Sequence, residues 1–102
     1  MSVINITDEI FADEVLAYNG TVLLDFWGNS CCSCRRTTPI IHAIAAERPD
    51  IKVGMANVSE QMGLAYHFDV MQLPTILVIK NGQEVNRTSG SKSKEFILSM
   101  LG

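Results

Sequence analysis

Cysteine is missing from almost the whole chain: the only three, Cys31, Cys32 and Cys34, fall within four positions. An odd, tightly clustered set is a poor framework for structural disulfides. Long apolar runs are missing too. Nothing approaches the ~20 residues that span a bilayer, so no membrane association is expected. Basic charge is in deficit, with 8 Lys and Arg against 11 Asp and Glu and a net charge of −3. Non-specific nucleic-acid binding needs a basic face, so no nucleic-acid partner is expected. The opening stretch MSVINITDEIFADEV has neither a basic nor an apolar leader region, so no signal peptide is expected and the cytoplasm is the expected location. No repeat, low-complexity segment or linker divides the chain. One domain over residues 1–102 is expected.

What is present fits a globular fold: 47% of residues are hydrophobic and 19% charged. A chain of this size can bury about two-thirds of its unfolded surface and needs no staples. In a reducing compartment, C-x-x-C near a βαβ pattern reads as redox chemistry. The pattern is there. Residues 3–6 form a short β-branched strand. Thr7 can cap a helix through Tyr18, with Asp8 and Glu9 suiting its positive end and Ile10, Phe11, Val15 and Leu16 at helical spacing. Asn19 and Gly20 end it. Thr21–Trp27, TVLLDFW, is apolar enough for a strand buried on both faces. Residues 32–48 suit a helix with Ile40, Ile41, Ile44 and Ala45 buried, kinked by Pro39. A strand over 51–58, a short helix over 60–68 and a buried strand at Thr75–Lys80 follow. Asn81-Gly82 is a strong hairpin signal, making residues 83–88 an antiparallel edge strand. A last helix runs from about Ser91 to Leu101, with Phe96, Ile97, Met100 and Leu101 facing in. The fold class is α/β: a mixed central sheet in the order β-α-β-α-β-α-β-β-α, with helices on both faces.

Cys31 then falls where a buried strand has ended and a helix begins. Helix N–H groups and the helix dipole favour an anion there, and the thiolate is the reactive form of cysteine. Cys34 is three residues on, close enough to close a small ring. Such a pair can attack a substrate disulfide and resolve the mixed disulfide. Two other readings compete: a pair of inert core cysteines, or a zinc site. Structural zinc needs four ligands. His42 lies two helical turns beyond Cys34 and His67 has no local partner, so no metal is expected. Asp25 is costly to bury inside VLLDFW. It is either turned out at a strand end, or a buried carboxyl of raised pKa that exchanges a proton with Cys34.

These residues resemble the thioredoxin family over essentially the whole chain. The resemblance rests on LLDFWG ahead of the cysteines, C-x-x-C, Pro39 five residues after the second cysteine, LPT at 73–75, KNG at 80–82, and Gly90. It implies a thioredoxin fold and a thiol–disulfide oxidoreductase that reduces protein disulfides. Cys31 would be the nucleophile, Cys34 the resolving cysteine and Asp25 the buried aspartate. Trp27, Leu73, Pro74 and Gly90 would form the substrate surface, with Pro74 in the cis form. The implied partners are disulfide-containing proteins and thioredoxin reductase, a flavoprotein drawing on NADPH. The chain itself would hold no cofactor and act as a monomer. Three positions depart from the pattern: Ser30 stands where the family has Trp, Cys32-Ser33 where it has Gly-Pro, and Met55 where a lysine often approaches the aspartate. No histidine separates the cysteines, which favours a reductant over an oxidant. Cys32 is expected to be an exposed, tolerated residue; a regulatory thiol and an alternative resolving cysteine are the other readings. The alternative function is a binding module of the same fold, redox-inactive or with a single substrate.

Overall fold

The structure is a computed structural model and describes residues 3–102; Met1 and Ser2, part of the expected domain, lie outside the described residues. Strands β1 (Ile4–Asn5), β2 (Thr21–Trp27), β3 (Lys52–Asn57), β4 (Thr75–Lys80) and β5 (Gln83–Ser89) form one sheet in the order β1-β3-β2-β4-β5. β3 runs parallel to β1 and β2, whereas β4 is antiparallel to β2 and β5 to β4. Helices α1 (Cys32–Glu47), α2 (Met62–His67) and α3 (Lys94–Met100) complete the fold.

β2 is central, so both its faces are covered. Val22, Leu24 and Phe26 join Phe11, Val15, Leu64 and Phe68 in one core. Leu23 points the other way and meets Ile41 and Ile44 of α1 and Ile97 of α3. The two cores put helices on both sheet faces, as expected from the element order. At the β4–β5 turn, Asn81 (φ 52°) and Gly82 (φ 83°) both have positive φ, the backbone a two-residue hairpin requires. A Cβ at Gly82 would collide with the Leu16 carbonyl.

Three expectations change. The helix expected from Thr7 to Tyr18 is a turn followed by a widened π-type segment, Ala12–Leu16, in which the Ala17 N–H donates to the Ala12 carbonyl at 2.9 Å. Thr7 does cap, accepting from the Ile10 N–H at 3.3 Å. Asp8 serves a different helix: its carboxylate accepts the Leu64 N–H of α2 at 2.8 Å, and its own N–H donates to Gln61 Oε1 at 2.8 Å. Phe96, expected to face in, is 44% exposed. Ser93 caps α3 by accepting the Phe96 N–H at 3.1 Å, and Ile97, Met100 and Leu101 are buried as expected. Ile40 is only half-buried, packed at the edge of the second core.

Candidate active site at the start of helix α1

Cys31 is the N-cap of α1, in extended backbone at φ −98° and ψ 105°. Its Sγ accepts the Cys34 N–H at 3.1 Å, and the Ser33 hydroxyl lies 3.5 Å away. A free N–H group of the first helical turn and a hydroxyl thus converge on one sulfur, the arrangement that stabilises a thiolate. Cys31 and Cys34 are joined in a disulfide with Cα atoms 5.2 Å apart. Cys31 is half-buried, whereas Cys34 is 2% exposed. Cys32 is exposed and free. Pro39 lies inside the helix, and the two residues before it bond back to the preceding turn: Thr37 Oγ1 donates to the Ser33 carbonyl at 2.9 Å and Thr38 Oγ1 to the Cys34 carbonyl at 3.0 Å.

Asp25 is fully buried, which decides between the two sequence readings of its position. It shares the sheet face of Leu23, the face on which α1 packs. Its in-register neighbours are Met55 on β3 and Ile76 on β4, both apolar. Neither carboxylate oxygen has a hydrogen-bond partner among the described residues. Burial without a cation or donor disfavours the charged form and pushes the carboxyl up to about 7.

The implied substrate residues separate into three places. Leu73 lines a cavity of about 400 Å³ with Gly28, Asn29, Ser30, Cys31, Val58 and Ser59. Pro74 is buried beside it, its bond to Leu73 is cis, and its carbonyl accepts the Gly90 N–H at 2.8 Å. Thr75 Oγ1 braces this loop by donating to the Gln72 carbonyl at 2.6 Å. Trp27 lines a different cavity, of about 440 Å³, with Thr38, His42, Met55 and residues 3–5. His67 stacks edge-on against Phe11 and Phe68, with ring centroids 5.2 and 4.9 Å apart. Among the described residues no three His, Cys, Asp or Glu side chains gather as a metal-binding group, and no helix is long and apolar enough to cross a membrane.

Sequence reasoning missed Asn29, Asn57 and Ser59. Asn57 is 3% exposed and joins the two loops beside Cys31. Its Oδ1 accepts the Ser59 and Glu60 N–H groups at 2.8 and 3.2 Å, and its Nδ2 donates to Asn29 Oδ1 at 3.0 Å. The available signal was an asparagine closing a strand just before Ser59-Glu60, the composition of a side-chain-capped turn.

A family model described as thioredoxin matches residues 2–102. Thioredoxin of Mycobacterium bovis is 38% identical over 99 residues, covering 96% of this chain and 85% of that protein. Thioredoxin of Chlamydia pneumoniae is 39% identical over 83 residues, 81% of each chain. The bifunctional thioredoxin reductase/thioredoxin of Mycobacterium leprae is 35% identical over 99 residues, 96% of this chain and 22% of that protein. With its bonded cysteine pair at the head of α1, the chain belongs to the thioredoxin family and is a thiol–disulfide oxidoreductase.

Proposed function

We propose that the chain reduces protein disulfides, with Cys31 as nucleophile, Cys34 as resolving cysteine and Asp25 as the proton acceptor and donor for Cys34. The observation that carries this reading is the asymmetry of the pair: Cys31 is reachable and surrounded by donors, and Cys34 is buried behind it. In the reduced protein the Cys31 thiolate attacks one sulfur of a substrate disulfide. A mixed disulfide forms, the substrate S–S bond breaks, and its other sulfur leaves as a thiolate that takes a proton from solvent. Cys34 passes its proton to the Asp25 carboxylate and attacks Cys31 Sγ. The Cys31–Cys34 bond forms, the mixed disulfide breaks, and the second substrate sulfur departs. The substrate gains two electrons and the cysteine pair loses two. An acid poised at about 7 exchanges protons readily near neutral pH.

Leu73, Pro74 and Gly90 form the peptide-docking edge beside Cys31, and Trp27, at the end of β2, adds substrate surface from the neighbouring cavity. Electrons return from NADPH through a flavoprotein thioredoxin reductase. A relative whose name joins a thioredoxin reductase to a thioredoxin supports that pairing. The chain acts as a cytoplasmic monomer without a resident cofactor. The test is equilibration in a graded thiol–disulfide buffer with peptide mapping of the bonded cysteines. A reversible Cys31–Cys34 bond near about −270 mV is expected. The absence of any reversible bond would leave a redox-inactive binding module in its place.

A further inference from the structure

The cavity beside Cys31 has one polar and one apolar wall. Asn29, Ser30 and Ser59 supply its polar wall, Val58 and Leu73 its apolar wall, and no charged side chain lines it. Its volume of about 400 Å³ suffices for a side chain and the peptide that carries it. The polar wall is built, because buried Asn57 fixes both loops that form it. Asn57 Oδ1 takes two backbone N–H groups, so its Nδ2 must be the donor to Asn29 and Asn29 Oδ1 the acceptor. That leaves the Asn29 amide N–H groups uncommitted. The Ser30 and Ser59 hydroxyls make no hydrogen bond among the described residues, and Asn29, Ser30 and Ser59 are all exposed. Three neutral hydrogen-bonding groups therefore face a cavity that Cys31 itself lines.

We infer that this cavity is a specificity subsite that selects protein disulfides whose target cysteine is flanked by a short, uncharged polar residue. The inference rests on the disulfide-reductase reading above. A neutral polar side chain satisfies the wall without an ion pair. A large apolar one strips water from the amide and hydroxyls and returns no hydrogen bond. A charged one finds no counter-ion there.

The experiment uses two disulfide-linked peptide dimers, identical except that the residues flanking cysteine are Ser in one and Leu in the other. A small non-peptide disulfide serves as the third substrate. The wild-type protein is expected to reduce the Ser peptide with a kcat/KM about fivefold to tenfold above the Leu peptide, the size of one or two neutral hydrogen bonds. The triple variant N29L/S30L/S59L should lose or reverse that ratio. Taking the ratio within one protein cancels any change in Cys31 reactivity. Equal rates for the two peptides, preference for Leu in the wild-type protein, or an unchanged ratio in the variant would overturn the subsite. A wild-type protein that reduced neither peptide nor the small disulfide would overturn the reductase reading instead.

Discussion

Replacing Asp25 by asparagine should stabilise the protein, and the gain should grow with pH. The side chain keeps its shape but cannot ionise. In the wild-type fold the carboxyl is raised from 3.8 to about 7 by burial alone. Between those values the native state holds a proton that the unfolded chain has released, so wild-type stability falls as pH rises. Below about 4 both states are protonated and this penalty is absent. Above about 7 it is complete. The rise from 3.8 to about 7, at ~1.4 kcal/mol for each tenfold change in proton affinity, sets an upper bound of ~4 kcal/mol. At pH 4 a neutral carboxyl and a carboxamide each sit unpartnered, and their costs nearly cancel. The stability difference between D25N and wild type should therefore start near zero and climb by at most ~1.4 kcal/mol per pH unit. Relaxation around the charge trims the bound, so the difference should level off near pH 8 at ~3 kcal/mol. Urea unfolding of the oxidised proteins across pH 4–9 measures it directly, since every other titrating group is common to both. A difference that does not change with pH would mean the carboxyl is solvated in the fold. A difference of opposite sign would mean its charge is stabilising, and either result would refute the buried, unpartnered carboxyl.

Two substitutions test other parts of the structure. C32S changes an exposed side chain without a bonded partner, so turnover should stay within about twofold of wild type, the scale of a neutral surface change; a severalfold fall in a disulfide-reduction assay would make Cys32 part of the mechanism. D8A removes the acceptor for the Leu64 N–H and should cost ~1 kcal/mol in urea unfolding, with α2 losing one of its two hydrogen bonds to the segment after β1; an unchanged midpoint would show that the cap contributes nothing.

The limits of β2 and β4 were legible because a strand covered on both faces must be apolar almost throughout, and TVLLDFW and TILVIK are. The hairpin was legible because Asn81-Gly82 leaves few other backbones open. The first helix was not. Its acidic opening looks like a self-contained helix start, but the Asp8 carboxylate is committed to α2, a partner 56 residues away that no local pattern reveals. Phe96 failed for a related reason: periodicity gives a stripe, but the elements packed against it decide how much is covered, and the core shared with α1 takes Ile97, Met100 and Leu101. At the site, the cysteine pair and its place at a strand–helix junction could be read from spacing. The residues alone left the burial of Asp25 as one of two readings, because the same residue at an edge strand would face water; the resemblance implied the buried one. The polar wall beside Cys31 escaped notice because it is assembled by Asn57 from two loops distant in sequence.

The register of β2 links these parts. Leu23, Asp25 and Trp27 share one face, and Val22, Leu24 and Phe26 the other. A carboxyl at Leu24 or Phe26 would lie against Phe11 and Phe68, with the whole sheet between it and α1. A one-residue slip in pairing would do the same to Asp25, since it exchanges the faces of every side chain in the strand. Pairing on both edges prevents that slip, because β3 and β4 each hold β2 over six residue pairs. The same two pairings set Met55 and Ile76 beside the carboxyl and so fix its affinity for a proton. Proton exchange and substrate selection are then served by different surroundings. The dry face of β2 sets when Asp25 releases its proton, and the two loops bound by Asn57 shape what reaches Cys31. A substitution in one environment should leave the other unchanged: D25N should shift the pH dependence of turnover without altering the Ser-to-Leu peptide ratio, and N29L/S30L/S59L should do the reverse. A D25N protein with a changed peptide ratio would show that the two environments are coupled through α1.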